Sequence, residues 1–344
     1  METHNLILDF IKLNSECSSN DIYKGISSTK SLATIKRNLS KLIEENLIVS
    51  VGRGKSTRYK LSLNFSLLEP VDIEKYYKKE IDERKINEEF NYSLISDVLP
   101  NIELFTLVEK DKLNTLQKEF ENNISALNEF EKNKELERLA IDLSWKSSQI
   151  EGNTYSLLET ERLLKEKETA KGKSKEDAIM LLNHKEAIDF ILENPDYLFP
   201  LNISKIEDIH SILTKELAVG RNIRKRRVGI SGTNFKPIDN EFQIREALSV
   251  MCELINKKDS VFEQALLALL LISYIQPFVD GNKRTARIVS NALLVNKKYC
   301  PISFRTVDGI DYKKAMLLFY EKNNITHFKQ LFIEQYEFAV KTYF

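Results

Sequence analysis

One stretch of the chain, residues 276–287, brings together two arginines, a lysine and a carboxylate around a glycine and an asparagine. It follows an apolar run at 265–275, which predicts a buried helix. Pro277 ends that helix, because the residue before a proline avoids helical angles. Gly281 then allows a sharp turn into a second predicted helix, 284–298. The loop is therefore expected at a helix N-terminus, where unpaired N–H groups and the helix dipole attract anions.

The charged side chains of this loop suit a polyphosphate. Arg284 and Arg287 are three residues apart and share a helix face, and two forked guanidinium groups match phosphate oxygens. Asp280 supplies an oxygen ligand suited to a magnesium ion that also holds phosphates. A capped helix with solvated arginines would have the same composition, so composition alone leaves both interpretations open.

The order of residues resembles the signature of the Fic (Fido) family, His-Pro-Phe-x-x-Gly-Asn-Gly/Lys-Arg-x-x-Arg, with Gln276 in place of the histidine. The resemblance implies that Phe278 is the buried anchor of the loop and that Asp280 holds Mg²⁺ on the phosphates of ATP. It also implies that Arg287 reaches the terminal phosphate. The implied nucleotide-binding residues are Gly281, Asn282, Lys283, Arg284 and Arg287.

Gln276 decides what chemistry this loop can perform. In family members the histidine takes a proton from a target hydroxyl, which then attacks the nucleotide. A glutamine amide can orient a hydroxyl but has no useful basicity near neutral pH. His184 and His210 lie in helical patterns typical of packing histidines, so neither is expected to replace the missing base.

A second motif, residues 147–152, follows a helical pattern. By itself it predicts a helix C-terminus with Gly152 as a left-handed cap, where the Glu151 carboxylate opposes the dipole and needs a cationic partner. It resembles the inhibitory motif of Fic proteins, Ser/Thr-x-x-x-Glu-Gly/Asn, formed here by Ser147, Glu151 and Gly152. The resemblance implies that Glu151 pairs with Arg287 and blocks the terminal phosphate of ATP. In some members this glutamate also positions water that removes the nucleotide from a modified target.

Residues 228–238, called the flap segment below, carry Gly and Asn turn signals after a short alternating strand. They resemble the β-hairpin flap of Fic proteins, which clamps the target segment. The resemblance implies target binding by Val228, Ile230 and Gly232, with a strand edge that can take an extended peptide. From the residues alone, an ordinary surface hairpin beside a solvated basic stretch explains the pattern as well.

Residues 1–63 resemble a winged helix-turn-helix, with three predicted helices followed by a hairpin. Residues 30–60 hold eight Lys or Arg and two Glu, a local net charge of +6, whereas the whole chain is neutral. Such a patch can meet the phosphates of duplex DNA. The candidate DNA-binding side chains are Lys36, Arg37, Lys41, Arg53, Lys55 and Arg58. A structural or dimerising role, which includes a homodimer, is the alternative.

The expected fold is mainly α: a Fic-type helical core with a β-hairpin flap, plus a small N-terminal winged-helix domain. The expected divisions are 1–63 for the winged helix, 64–135 for a helical connection, and 136–344 for the core with an inhibitory helix at 136–153. The three cysteines have no paired or metal-site spacing, which favours a reducing cytoplasm. No signal peptide or membrane-length apolar run is visible, so no membrane partner is expected.

The resemblance implies three alternative functions. In the first, the chain is an autoinhibited protein adenylyltransferase, using ATP and Mg²⁺ on a target protein, with activity weakened by Gln276. Alternatively, it is a nucleotide-binding, DNA-associated regulator that has lost transfer chemistry. In the third, Glu151 supports removal of a nucleotide from a modified protein. The residues leave all three open.

Overall fold

The computed structural model describes residues 2–26, 30–62 and 64–344, apart from the side chains of Glu2 and Lys55. The N-terminal module comprises α1 (Glu2–Asn14), α2 (Ser19–Gly25), α3 (Leu32–Glu44), β1 (Ile48–Val51) and β2 (Arg58–Leu61). Ser18 and Ser31 cap α2 and α3 through their hydroxyl groups. The two strands pair antiparallel, with Ile48 opposite Leu61. The predicted order of three helices and a hairpin is thus present, whereas its role in DNA binding stays a prediction.

The rest of the described chain is helical, and short 3₁₀ and π turns occur between α5 and α6. Its helices are α4 (Phe65–Leu68), α5 (Ile73–Tyr77), α6 (Leu107–Ala126), α7 (Glu129–Ile150), α8 (Leu157–Glu166), α9 (Lys175–Glu193), α10 (Ile203–Leu213), α11 (Glu241–Lys257), α12 (Val261–Ile275), α13 (Asn282–Asn296), α14 (Gly309–Lys322) and α15 (Thr326–Tyr343). The predicted mainly α fold is confirmed.

The core is built around α12 and the helix that follows it, α13. The apolar run of α12 is buried on every side from Phe262 to Ile275, as expected for a helix without a polar face. α13 packs against α12, α9 and α10, and α7 packs against α9. The loop between α12 and α13 is therefore held at both ends by rigid helices, next to the C-terminal end of α7.

The helix predicted at 136–153 begins earlier and ends earlier, at Glu129 and Ile150. Asn128 sets its start, because the Asn128 side chain accepts a hydrogen bond from the Glu131 N–H at 3.0 Å. Gly152 has φ of +101°, so its predicted left-handed conformation is confirmed. Glu151 is thereby placed at the helix end, with its side chain directed towards α13.

The β-hairpin predicted for the flap segment does not form. Within the described residues the strands β1 and β2 make the only hairpin, and the flap segment is extended around a turn at Ser231 and Gly232. Its polar backbone groups pair elsewhere: the Lys236 N–H donates to the Glu88 carbonyl at 2.8 Å, and Arg224 donates to the Ile238 carbonyl. The prediction was wrong because these distant partners replace the second strand.

Within the described part of the chain, none of the helices has the length and apolar character needed to span a bilayer.

Candidate functional site

The loop between α12 and α13 is fixed by its own side chains. Asn282 accepts a hydrogen bond from the Phe278 N–H at 2.8 Å and donates to the Phe278 carbonyl at 2.9 Å. Phe278 is fully buried, as predicted, and its ring stacks on His210 with centroids 3.7 Å apart. Gly281 has φ of +81°, a conformation in which a side chain is strained. The loop is therefore rigid before any ligand arrives.

Two buried arginines face this loop with incomplete hydrogen bonding. Arg284 is 2% exposed and donates to the Asp280 carboxylate at 3.0 Å, while Arg287 is fully buried. Among the described residues, Nε and Nη1 of Arg284 and Nη1 of Arg287 have no hydrogen-bond partner. The N-terminus of α13 also has no side-chain cap. Buried donors without partners are costly, so these groups together form a site prepared for an anion.

Glu151 closes one side of this site. Its carboxylate lies 2.9 Å from Nη2 of Arg287, so the predicted ion pair is present, and 3.0 Å from Nζ of Lys283, which the sequence did not indicate. Burial alone would raise the pKa of the Glu151 carboxyl, but the charges of Arg287 and Lys283 outweigh it and lower the pKa to about 2. Two cations that an anion would need are thus held by one carboxylate.

Acid should weaken this pair only well below neutral pH. The folded pKa of Glu151 lies below the ordinary value of about 4.3, so its contribution to stability is complete above that pH and is lost as the pH falls towards 2. We expect the difference in unfolding free energy between the native chain and Glu151→Gln to be constant from about pH 6 to 8 and to shrink below about pH 4.5. Urea unfolding of both chains at a series of pH values measures this difference in unfolding free energy.

The matched control for the acid experiment is Glu253→Gln. Glu253 is an exposed residue of α11 that pairs with Lys257 at 3.6 Å, and an exposed pair of this kind contributes little. The difference in unfolding free energy between Glu253→Gln and the native chain should stay near zero at every pH. If the Glu151→Gln difference already narrows between about pH 6 and 8, the carboxyl is not held ionised by Arg287 and Lys283.

Ser147 hydrogen-bonds Arg287, and His184 in turn contacts Ser147. Nε of Arg287 donates to Oγ of Ser147 at 2.7 Å and Nη2 donates to the Ser147 carbonyl at 3.0 Å. Oγ of Ser147 also lies 2.6 Å from Nε2 of His184. Burial and the charges of Arg287 and Arg284 lower the pKa of His184 well below its ordinary value, so this imidazole is neutral. His184 is thus a packing residue that orients Ser147, as its helical pattern suggested.

Gln276 occupies the position of the signature histidine, but its amide is already engaged. Nε2 donates to the Ser273 carbonyl at 2.7 Å, and Oε1 accepts from Nδ2 of Asn282 at 2.9 Å. The side chain is buried, and the backbone of Gln276 has a left-handed φ of +52°. Gln276 therefore completes the hydrogen bonding of the loop and offers no basic atom to a reacting hydroxyl.

Arg224 ties the loop to the end of the flap segment, Ile238. Its Nε donates to the Gln276 carbonyl at 2.7 Å, and its N–H donates to the Pro277 carbonyl at 2.9 Å. The guanidinium also donates to the Arg226 and Ile238 carbonyls. The sequence had placed Arg224 in a solvated basic run, but it is 2% exposed. Only its position before the flap segment could have singled it out.

A cavity of about 320 Å³ lies beside the loop, and neither Arg284 nor Arg287 lines it. The loop, Glu151, α14 and the first residues of the flap segment line it, and Val228 and Ile230 are among them as predicted for a target-facing flap. Gly232 lies outside this lining and forms the turn, with φ of +91°. The cavity thus has the start of α13 with Lys283 and Glu151 on one side and an extended segment on the other.

Asp280 is the carboxylate available here for a divalent cation. Its side chain is 65% exposed, and it contacts Arg284. In the described ranges, no cluster of three or more His, Cys, Asp or Glu residues could hold a metal ion. A single carboxylate beside an anion site fits Mg²⁺, which keeps several waters and takes its other ligands from phosphates.

Most of the predicted DNA-binding side chains are exposed on the N-terminal module. Lys36, Arg37 and Arg53 are exposed, whereas the Lys55 side chain lies outside the described residues. Arg58 pairs with Asp21 at 3.4 Å, and Lys41 with Glu45 at 3.8 Å. Such exposed pairs are weak, so a phosphate could compete for both cations.

The region that contains the loop matches a known protein family. Residues 200–294 match the sequence model of the Fic/DOC family. A Fic/DOC domain is therefore present over residues 200–294, which contain the α12–α13 loop and the whole flap segment.

Curated proteins with similar sequences are named protein adenylyltransferases. A protein adenylyltransferase Fic from Nematostella vectensis is 28% identical over 172 residues, which is 48% of this chain and 40% of that protein. Its counterpart from Drosophila melanogaster is 26% identical over 159 residues, 44% of this chain and 32% of that protein. The chain thus spans less than half the length of either relative.

Solved structures share the helical fold. Fic-1 from C. elegans superposes with a TM-score of 0.57 at 19% identity, covering 69% of this chain and 72% of that one. A Fic domain containing signaling protein from Bacteroides thetaiotaomicron gives 0.58 at 20% identity, covering 67% and 95%. At this identity the likeness defines the fold.

Proposed function

We propose that this chain is a Fic-type protein adenylyltransferase, which binds ATP with Mg²⁺, is held inactive by Glu151 and is slowed by Gln276. The observation that supports it best is the pair of buried arginines with unpaired guanidinium nitrogens at the uncapped N-terminus of α13. The similarity to curated adenylyltransferases supports the reaction class.

ATP fits the anion site through its phosphates. Arg284 would bind one phosphate, and the backbone N–H groups of Gly281, Asn282 and Lys283 would add donors at the positive end of the helix dipole. Asp280 would hold Mg²⁺, which neutralises phosphate charge when bound. Arg287 would reach the terminal phosphate through its unpaired Nη1 only after Glu151 moves away, because the carboxylate that Nη2 holds would repel a phosphate placed beside it.

In the transfer step, a hydroxyl oxygen of the target attacks the α-phosphorus of ATP. A new phosphorus–oxygen bond forms, the bond to the bridging oxygen breaks, and pyrophosphate leaves. The hydroxyl proton must pass to an acceptor, and Gln276 cannot take it because an amide is not basic and both its polar atoms are engaged. Without a base at this position, transfer should be slow.

The engaged amide of Gln276 also favours a second function, a nucleotide-binding regulator without transfer activity. Such a regulator would need the anion site and the N-terminal module but not the base. Both functions require nucleotide binding and differ in whether AMP is transferred.

Nucleotide binding is the first test. We expect Mg-ATP to bind to the Glu151→Gly chain, and Arg284→Ala in that background to weaken binding about ten- to hundredfold, since a charged hydrogen bond contributes on the order of 1.5–3 kcal/mol. Isothermal calorimetry measures the affinity, with thermal unfolding as the check on folding. Arg162→Ala, an exposed arginine of α8 far from the loop in sequence, is the matched control and should bind as its parent does.

The absence of Mg-ATP and Mg-ADP binding in a folded Glu151→Gly chain would contradict both functions. Equal affinity in Arg284→Ala and its parent would show that the nucleotide binds somewhere other than the α13 N-terminus.

A further inference from the structure

The flap segment is attached to residues 80–91, here called the linker segment, which lie between the N-terminal module and the helical core. The Lys236 N–H donates to the Glu88 carbonyl at 2.8 Å, and Glu89 forms a parallel bridge with Lys236. Nδ2 of Asn234 donates to Oδ1 of Asp82 at 2.9 Å. The early residues of the flap segment line the cavity, whereas its later residues are held by the linker segment.

Arg84 makes the most buried of these attachments. Its Nη2 donates to the Gly232 carbonyl at 2.8 Å, and its Nη1 donates to the Glu321 carboxylate at 2.9 Å. Arg84 is 8% exposed, and Gly232 is the turn residue of the flap segment. Because a guanidinium is a rigid planar fork, Arg84 fixes the distance between the flap turn and α14, which carries Glu321.

Glu321 is itself held in place by the linker segment and by α5. Tyr76 donates its hydroxyl to the Glu321 carboxylate at 2.7 Å, and the Asn87 N–H donates to the Glu321 carbonyl at 2.8 Å. Glu321 is 1% exposed, so its charge needs the cation of Arg84. The anchor of the flap turn is therefore a buried ion pair, which the half-buried Tyr76 and the backbone of the exposed Asn87 complete.

The same part of α14 forms a wall of the cavity. Leu317 and Tyr320 line it, and Tyr320 stacks on Phe235 of the flap segment with centroids 5.6 Å apart. A Cβ atom added at Gly232 would lie 3.2 Å from Cδ1 of Leu317. The flap turn is thus seated against α14 at the edge of the cavity, and Arg84 holds it there.

We propose that Arg84 is a positioning residue for target binding: it sets where the flap segment lies beside the cavity, and it makes the linker segment part of the target-recognition surface. That a target protein binds along the flap segment rests on the proposed function. The positioning itself rests on the contacts of Arg84 and can be measured without any target.

Arg84→Lys in the full chain tests the proposal. Lysine can keep the ion pair with Glu321, but one ammonium on a flexible stem cannot reproduce the fork to the Gly232 carbonyl. We expect hydrogen–deuterium exchange of the Phe235 and Lys236 amides, which are hydrogen-bonded in the flap segment, to accelerate about tenfold, because the lost hydrogen bond has a charged donor. Exchange in α12 and the thermal unfolding midpoint should stay unchanged. Lys85→Ala, the exposed neighbour in the linker segment, is the matched control and should leave the flap segment as it is.

A second variant covers the case in which Arg84→Lys does not fold. In Arg84→Met with Glu321→Met, the buried pair is replaced by apolar side chains, which a folded core tolerates, and the flap segment should again exchange faster. Unchanged exchange of the Phe235 and Lys236 amides in a folded variant overturns the proposal, as does an equal acceleration throughout the chain, which would make Arg84 a general stabiliser. Calorimetry with Mg-ATP separates the two ideas: failure to bind contradicts the proposed function, whereas the exchange result decides the role of Arg84.

Discussion

Replacement of Gln276 by histidine should raise AMP transfer by about a hundred- to ten-thousand-fold, the range that a general base contributes. The rest of the site is ready for this change, because the loop is rigid and the two arginines are buried beside it. An imidazole with an ordinary pKa of about 6.5 can accept the hydroxyl proton near neutral pH. The left-handed φ of +52° at this position suits the exchange, since histidine tolerates it better than most residues.

The full effect should appear only when Glu151 is also changed. Glu151 holds Arg287 at 2.9 Å and Lys283 at 3.0 Å, so under the proposed function neither cation is available to the terminal phosphate of ATP in the native chain. The double variant, Glu151→Gly with Gln276→His, frees both cations and supplies the base. Incubation with labelled ATP and Mg²⁺, alone and with a broad lysate, measures AMP incorporated into protein by each single variant and by the double variant.

Gln276→Asn is the matched control, because it keeps an amide, tolerates the same backbone conformation and provides no base. It should transfer no faster than the native chain. A native chain as fast as Gln276→His would show that proton abstraction does not limit the reaction. A double variant that binds Mg-ATP but labels nothing would favour the regulator.

The anion site was readable from the sequence because its parts are local. The loop and the start of α13 lie within one short stretch, and the positive φ of Gly281 follows from its residue type, whereas the burial of Phe278 was implied by the family resemblance. The pair between Glu151 and Arg287 was readable for another reason: a carboxylate at a helix C-terminus needs a cation, and the family resemblance named it.

The contacts that the sequence did not indicate join distant segments. Arg84 and Glu321 are 237 positions apart, and periodicity along a chain carries no signal for such a pair. The flap segment looked like a hairpin because alternation and turn residues are local, whereas its real partners are Glu88 and the side chain of Arg224. Tertiary hydrogen bonds replaced the expected strand pairing.

Binding of the N-terminal module to duplex DNA should be strongly salt-dependent. If about four of the exposed cations reach phosphates, raising the salt fourfold should weaken binding by about 150-fold, because each contact releases a counterion. Lys36, Arg37 and Arg53 are exposed on the described surface, and Arg58 is held only by an exposed pair with Asp21. Fluorescence anisotropy with a labelled duplex of random sequence, titrated at several salt concentrations, gives the slope.

Arg53→Gln together with Arg58→Gln should reduce the salt slope by about two, because two phosphate contacts are removed. Lys257→Gln is the matched control: it removes a side chain that is 78% exposed on α11 of the core and should leave the slope unchanged. A chain that shows no affinity for duplex DNA even at low salt would make the module a protein-interaction domain. In that case the cations of α3 and the hairpin would serve a protein surface of opposite charge, and the anion site beside α13 would be untouched by the result.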